Sequence, residues 1–274
     1  YSNLFYPEID FWRGLPAHKK LFKKFIDHLR KSRLKANDVC IFETDDLATR
    51  AKKVLRPNQQ SICIKPSCSS LVSQNTHHEA TQKLCNKLPN IFKIALISGY
   101  HPNKNIDFLG SIAKELRTLG ESEVCFVLTL PPANKDVQEF FSRIQSLGLQ
   151  NYFHNLGPIP QEGCAEVYRT CSASVLPSNL ESFSNMIAES WAMKKPLFIS
   201  DQSWARSICK EGALYYPHLN AQALAERICA LKNRTIDYEA CIMRGTEQLG
   251  TYPTSKERFL QYLALIEDPL INGT

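Results

Sequence analysis

Two glutamates with seven residues between them, Glu181 and Glu189, flank a polar turn, Ser182-Phe183-Ser184-Asn185, that follows the apolar run 173–176. The stretch reads as a strand ending at Pro177, a turn, and a helix opening at Ser182 to Ser184, where either serine can cap it. The first amides of such a helix have no partner within it. They sit at the positive end of its dipole and suit a phosphate. Glu189 would lie about 7.5 Å inside the helix at ~1.5 Å per residue, its side chain leaning back toward the opening. A carboxylate accepts two hydrogen bonds side by side, so a vicinal diol such as a ribose is a natural partner for it. Glu181 would stand on the other side of the phosphate, where a sugar joined through that phosphate would lie. On spacing alone a second reading stays open, in which Glu181 is a loop carboxylate and Glu189 a solvated helix residue.

The elements needed to place these groups can be read from apolar periodicity. Residues 92–98, 124–130, 152–156, 173–176 and 196–200 are short apolar runs suited to strands. Segments 106–119, 137–147, 162–170, 183–193, 204–209 and 221–231 carry helical spacing between and after them. Strands alternating with helices predict an α/β protein with a doubly wound, parallel, Rossmann-like sheet. Ligands of such sheets bind beyond the carboxyl ends of the strands, where loops 99–105, 157–161 and 178–182 should gather. Upstream, 38–44, 47–55 and 61–65 read as strand, helix, strand. Residues 68–89 read as a polar linker with one short helix.

The stretch from Leu176 to Pro196, continued through Ser200-Asp201, resembles the E-x7-E signature of the family-4 retaining glycosyltransferases. Pro177, Ser178, Glu181, Phe183, Glu189, Ala192, Pro196, Ser200 and Asp201 match its positions, with Ser190 where alanine is usual. Three further landmarks fall in order. Gly99-Tyr100-His101-Pro102-Asn103-Lys104-Asn105 resembles the family's phosphate loop, although Tyr100 or His101 replaces the arginine that often precedes the lysine. Leu156-Gly157-Pro158 with Tyr168, and Gly212 to Pro217, resemble the segments on either side of the signature. The similarity covers about residues 91 to 231 and implies a GT-B fold, in which two Rossmann-like domains face each other. It implies that Glu189 holds the nucleotide ribose, and that Glu181 with the amides around Phe183, Ser184 and Asn185 holds the donor sugar and diphosphate. Lys104 would neutralise the diphosphate as it leaves, with Gly99, Tyr100, Asn105 and Pro158 completing the donor contacts. Arg206 and Lys210 are candidates for the missing second cation. No cofactor or metal is implied, and His77-His78 lacks a third ligand at metal spacing.

Charge and composition bound the rest. The chain has 274 residues, 43% hydrophobic and 22% charged, with a formal net charge of +6, which describes an ordinary globular protein. Ten cysteines without a CxxC pair read as buried free thiols in a reducing compartment, so a cytoplasmic location is expected. The sequons at Asn233 and Asn272 stand alone and do not alter that expectation. From 17 to 35 there are eight Lys or Arg against the single acid Asp27, with Leu21, Phe22, Phe25, Ile26 and Leu29 at helical spacing. This is a basic amphipathic helix. It either docks on an anionic membrane surface or packs its apolar stripe on a domain. Nucleic acid is not expected, because no base-reading motif accompanies the charge.

The resemblance divides the chain into a remnant of an acceptor-side domain with a linker (1–90), a nucleotide-sugar-binding domain (91–250) and a C-terminal helix (251–274). Roughly the first hundred residues of the family's length have no counterpart, so a truncated first domain is expected. The function expected is transfer of a sugar from a nucleotide sugar to a glycan or lipid-linked acceptor with retention, in polysaccharide or lipopolysaccharide biosynthesis. A non-catalytic subunit supporting a partner transferase, and another sugar-nucleotide enzyme such as an epimerase, are the alternatives.

Overall fold

The computed structural model describes residues 2–12 and 15–267, which form two compact units. The smaller takes in the chain up to Cys68, a short return at Asn179–Phe183, and the chain from Tyr252 onward; the larger comprises Ser69–Ser178 and Ser184–Thr251. The sequon at Asn272 lies outside the described residues.

In the smaller unit, helix α1 (Ala17–Lys35) leads into strand β1 (Val39–Phe42), helix α2 (Asp45–Ala51) and strand β2 (Gln60–Cys63), which pairs with β1 in parallel. Thr44 caps α2 by accepting from the Leu47 amide at 3.2 Å. Phe5, Phe42, Leu47 and Ala51 are buried, with the Phe5 and Phe42 rings edge to face at 5.3 Å. Asp27, the one acid of α1, receives Asn3 Nδ2 at 2.8 Å and Trp12 Nε1 at 3.1 Å and so ties the helix to the segment before it. No residue of α1 is buried, and Leu21, Phe22 and Phe25 are 71%, 60% and 57% exposed. A helix, Ser255–Glu267, closes the described chain.

The larger unit opens with helix α3 (Glu79–Cys85) and then alternates strand and helix: β3 (Phe92–Leu96), α4 (Phe108–Thr118), β4 (Val124–Leu128), α5 (Lys135–Ser146), β5 (Phe153–Asn155), α6 (Cys164–Thr170), β6 (Ala173–Leu176), α7 (Asn185–Ala192), β7 (Leu197–Asp201), α8 (Ser203–Cys209), β8 (Leu214–Pro217), α9 (Ala221–Lys232) and α10 (Glu239–Leu249). All six strands pair in parallel in the order β5-β4-β3-β6-β7-β8. Every residue of β4 and β6 is buried, because a parallel sheet covered on both faces needs continuous apolar runs. Alternate residues serve opposite faces. Ile94, Leu96, Val124, Phe126 and Leu128 join a core with α4, α5 and α9, while Ala95, Cys125 and Val127 join one with α3 and α6. Val72 and Cys85, from the stretch 68–89 read as polar linker, are buried in this second core. All ten thiols are free, and burial pushes those of Cys63 and Cys164 up to about 12.

Candidate functional site

The strand order fixes where a ligand can enter the larger unit. From β3 the chain winds outward through β4 and β5, then crosses to β6 on the other side of β3 and winds outward again through β7 and β8. The loops leaving β3 and β6 therefore start from adjacent strands and diverge, opening a crevice at the carboxyl edge of the sheet.

The loop after β3 is tied to the end of β6. Asn105 adopts the left-handed conformation (φ 51°, ψ 40°) after the single turn Pro102–Lys104, and its Nδ2 donates to the Pro177 carbonyl at 3.3 Å. Asparagine is among the few residues that tolerate this backbone without glycine. The turn itself is held by His101, whose Nδ1 accepts from the Asn103 amide at 3.1 Å. Lys104 closes the turn and is partly exposed. A Cβ on Gly99 would meet no atom within 4 Å, so the strand end is sterically open there. The Tyr100 ring packs on the core, and its hydroxyl donates at 3.1 Å to Asp107, which pairs with Arg143. Burial and that carboxylate push the phenol up to about 12.

Helix α7 begins at the same edge, since a crossover from β6 to the parallel β7 must run back along the sheet. Ser184 is its N-cap residue, but the serine hydroxyl makes no capping bond, so the expected side-chain cap is absent. Asn185 at the opening is exposed, and the Ile187 amide turns back to the Ser184 carbonyl at 3.0 Å. Serine is held in extended backbone here (φ −126°, ψ 128°), and its hydroxyl leaves the Asn185 and Met186 amides for another acceptor.

Glu189 is 7% exposed, which removes the reading of it as a solvated helix residue. Its Oε2 accepts from the Tyr168 hydroxyl at 3.1 Å. Burial raises the carboxyl and the Tyr168 hydrogen bond opposes that rise. Beside it, Ser190 joins its hydroxyl to Ser174 on β6 at 2.7 Å and to the Met186 carbonyl at 2.6 Å, which satisfies the polar group standing where alanine is usual.

Glu181 and Phe183 belong to the smaller unit, where the Phe183 ring lies 5.1 Å from Tyr252 and Lys65 Nζ lies 5.4 Å over that same tyrosine. Pro158 is exposed on the loop after β5, behind Gly157 with φ 74°. Arg206, a candidate second cation, forms a two-pronged pair with Asp201 at 2.7 and 2.8 Å and stacks 3.6 Å from the Tyr215 ring. Lys210, the other, follows α8 at φ 46°. Among the described residues no group of three His, Cys, Asp or Glu is placed to hold a metal. Sequence reasoning missed the Tyr100-Asp107-Arg143 chain and the bond from Ser200 Oγ to His218 Nδ1 at 2.7 Å across the ends of β7 and β8. Neither carries a spacing signal, because its members come from separate elements.

Comparison with known proteins agrees with this architecture. The family described as Glycosyl transferases group 1 matches residues 87–248. No curated protein sequence matches the chain. Solved structures with the same fold include sucrose-phosphate synthase from Thermosynechococcus elongatus (TM-score 0.69, 20% identity, 90% of this chain and 62% of that one). A glycosyltransferase from Rickettsia africae ESF-5 gives a TM-score of 0.70 at 17% identity, over 94% of this chain and 69% of that one. Anabaena HepE, solved in complex with UDP and glucose, gives 0.67 at 18% identity, over 84% and 63%. This chain thus spans about three fifths of the length of the sucrose-phosphate synthase. The six parallel strands and their flanking helices are the Rossmann-like α/β fold of the GT-B glycosyltransferases. With the family matched over more than half its length, the chain belongs to the group 1 glycosyl transferases.

Proposed function

We propose that the chain binds a nucleotide sugar at the crevice between the ends of β3 and β6 and takes part in retaining transfer of its sugar to a glycan or lipid-linked acceptor. The observation that carries the reading is the Asn105 to Pro177 hydrogen bond, which joins the lysine-bearing loop to the signature strand at the sheet's switch point. The diphosphate would be met by the opening amides of α7 at Ser184 and Asn185 and by Lys104, whose charge stabilises the negative charge that grows on the leaving group. Glu189 would accept the two ribose hydroxyls. The resemblance assigns Glu181 and Phe183, just before the Ser184 cap in the chain, to the donor sugar and diphosphate, and it is also what supports retention. HepE, solved in complex with UDP and glucose, makes UDP the first nucleotide to try. The basic, exposed face of α1 supports a second element of the proposal, attachment to an anionic membrane surface that presents the acceptor.

The test is calorimetric binding of UDP, GDP and ADP to the wild-type chain and to Glu189→Ala. Losing two charge-assisted hydrogen bonds should cost on the order of 2–4 kcal/mol of affinity. A variant that binds as tightly as the wild type would end the assignment of Glu189, and a product of inverted anomeric configuration would end retention.

A further inference from the structure

Glu189 faces two conflicting demands if it is to grip a diol. It must be ionised to accept hydrogen bonds from two hydroxyls at full strength, yet it is buried, and burial favours the neutral acid. Among the described residues it has no ion-pair partner. The titratable groups facing it among the described residues both come from α6: Cys164, itself held neutral with its thiol pushed up to about 12, and Tyr168. Tyr168 is fully buried, and its phenol lies 3.1 Å from Glu189 Oε2. A phenol with its proton can only donate to a carboxylate, and that donation uses one of about four acceptor sites. The other oxygen stays available.

We propose that Tyr168 is a positioning residue for nucleotide binding: it holds one oxygen of Glu189 by donation, keeps that carboxylate charged, and leaves the second oxygen aimed at the ligand hydroxyls. The inference rests on the reading of Glu189 as the ribose ligand. It adds a residue that touches no ligand and that the motif names only as a landmark.

Tyr168→Phe keeps the ring and removes only the donor. Nucleotide affinity, measured by calorimetry with whichever of UDP, GDP or ADP the wild type binds, should fall about tenfold. The fall in affinity on acidification should also begin at higher pH in the variant, since the carboxyl has lost the bond that opposes its rise. A ligand-free readout is the ¹³C carboxyl resonance of Glu189, whose titration midpoint should move upward in Tyr168→Phe. If that variant does not fold, 3-fluorotyrosine at position 168, a more acidic donor of nearly the same shape, should move the midpoint downward. An unmoved midpoint, or a Tyr168→Phe protein with wild-type affinity and pH profile and only a lower melting temperature, overturns the proposal. A Glu189→Ala variant with undiminished affinity overturns the donor-site reading instead, even where the midpoint moves.

Discussion

Replacing Gly245 by alanine should unfasten the helix that carries Glu189. Gly245 lies in α10 against Trp191, two residues beyond Glu189 on α7. A Cβ there would come 2.2 Å from Trp191 Cδ1 and 2.6 Å from Nε1. The indole cannot yield cheaply, being 2% exposed with its Nε1 donating to the Gly212 carbonyl at 2.8 Å. A Cβ on Gly212 would in turn come 2.8 Å from Gly245 Cα, so the backbone is pressed close on that side too. Alanine improves helix propensity by about 1 kcal/mol, but overpacking costs roughly 1–3 kcal/mol and a stranded buried indole N–H a further 1–3 kcal/mol. The expected net loss is therefore about 1–5 kcal/mol. Urea unfolding followed by tryptophan fluorescence, with nucleotide affinity measured in parallel, checks it. Trp191→Phe in the Gly245→Ala background should recover part of the loss, giving a coupling energy that either change alone does not show. Equal or greater stability in Gly245→Ala would mean that propensity outweighs packing here, and the argument from the close approach would be refuted.

Three further outcomes are expected. Glu189→Gln keeps an acceptor for Tyr168 but no charge. Because the folded carboxyl is raised above its unfolded value of ~4.3, its stabilising contribution is present below that value and lost as pH rises through the folded one. The variant's melting temperature should thus exceed the wild type's at neutral pH, converge with it in acid, and accompany weaker nucleotide binding; a pH-independent difference would contradict this. Asn105→Gly should lose the Pro177 tether yet keep the backbone, whereas Asn105→Ala should cost about 1 kcal/mol more because alanine resists a positive φ. Equal stabilities would show that the left-handed turn is not constraining. Changing Lys19, Lys20, Lys23 and Lys24 to glutamine should release the protein from anionic vesicles at roughly 1 kcal/mol per lysine, while equal partitioning onto neutral and anionic vesicles would remove the electrostatic account.

What could be read from residue order was local. The basic helix expected over 17–35 is the helix Ala17–Lys35, and the run 173–176 is the strand Ala173–Leu176, because apolar periodicity and turn residues act within one segment. The parallel sheet followed from strand and helix alternation, since connections of that length rule out hairpins. Residue order alone leaves open which strands become neighbours. That β6 lies against β3, so that Asn105 reaches Pro177, was decided by how the two faces of the sheet bury Ile94, Leu96, Val124 and Val127 under helices far apart in sequence. The state of Glu189 was likewise undetermined: spacing allowed a solvated carboxylate, and the tertiary packing of α7, with a fully buried Tyr168 of α6 donating to it, made it a buried one. Ser184 shows the reverse limit, a residue type that suits a cap but whose hydroxyl caps nothing. Propensity states what a side chain is able to do, and the tertiary surroundings select which partner it finds.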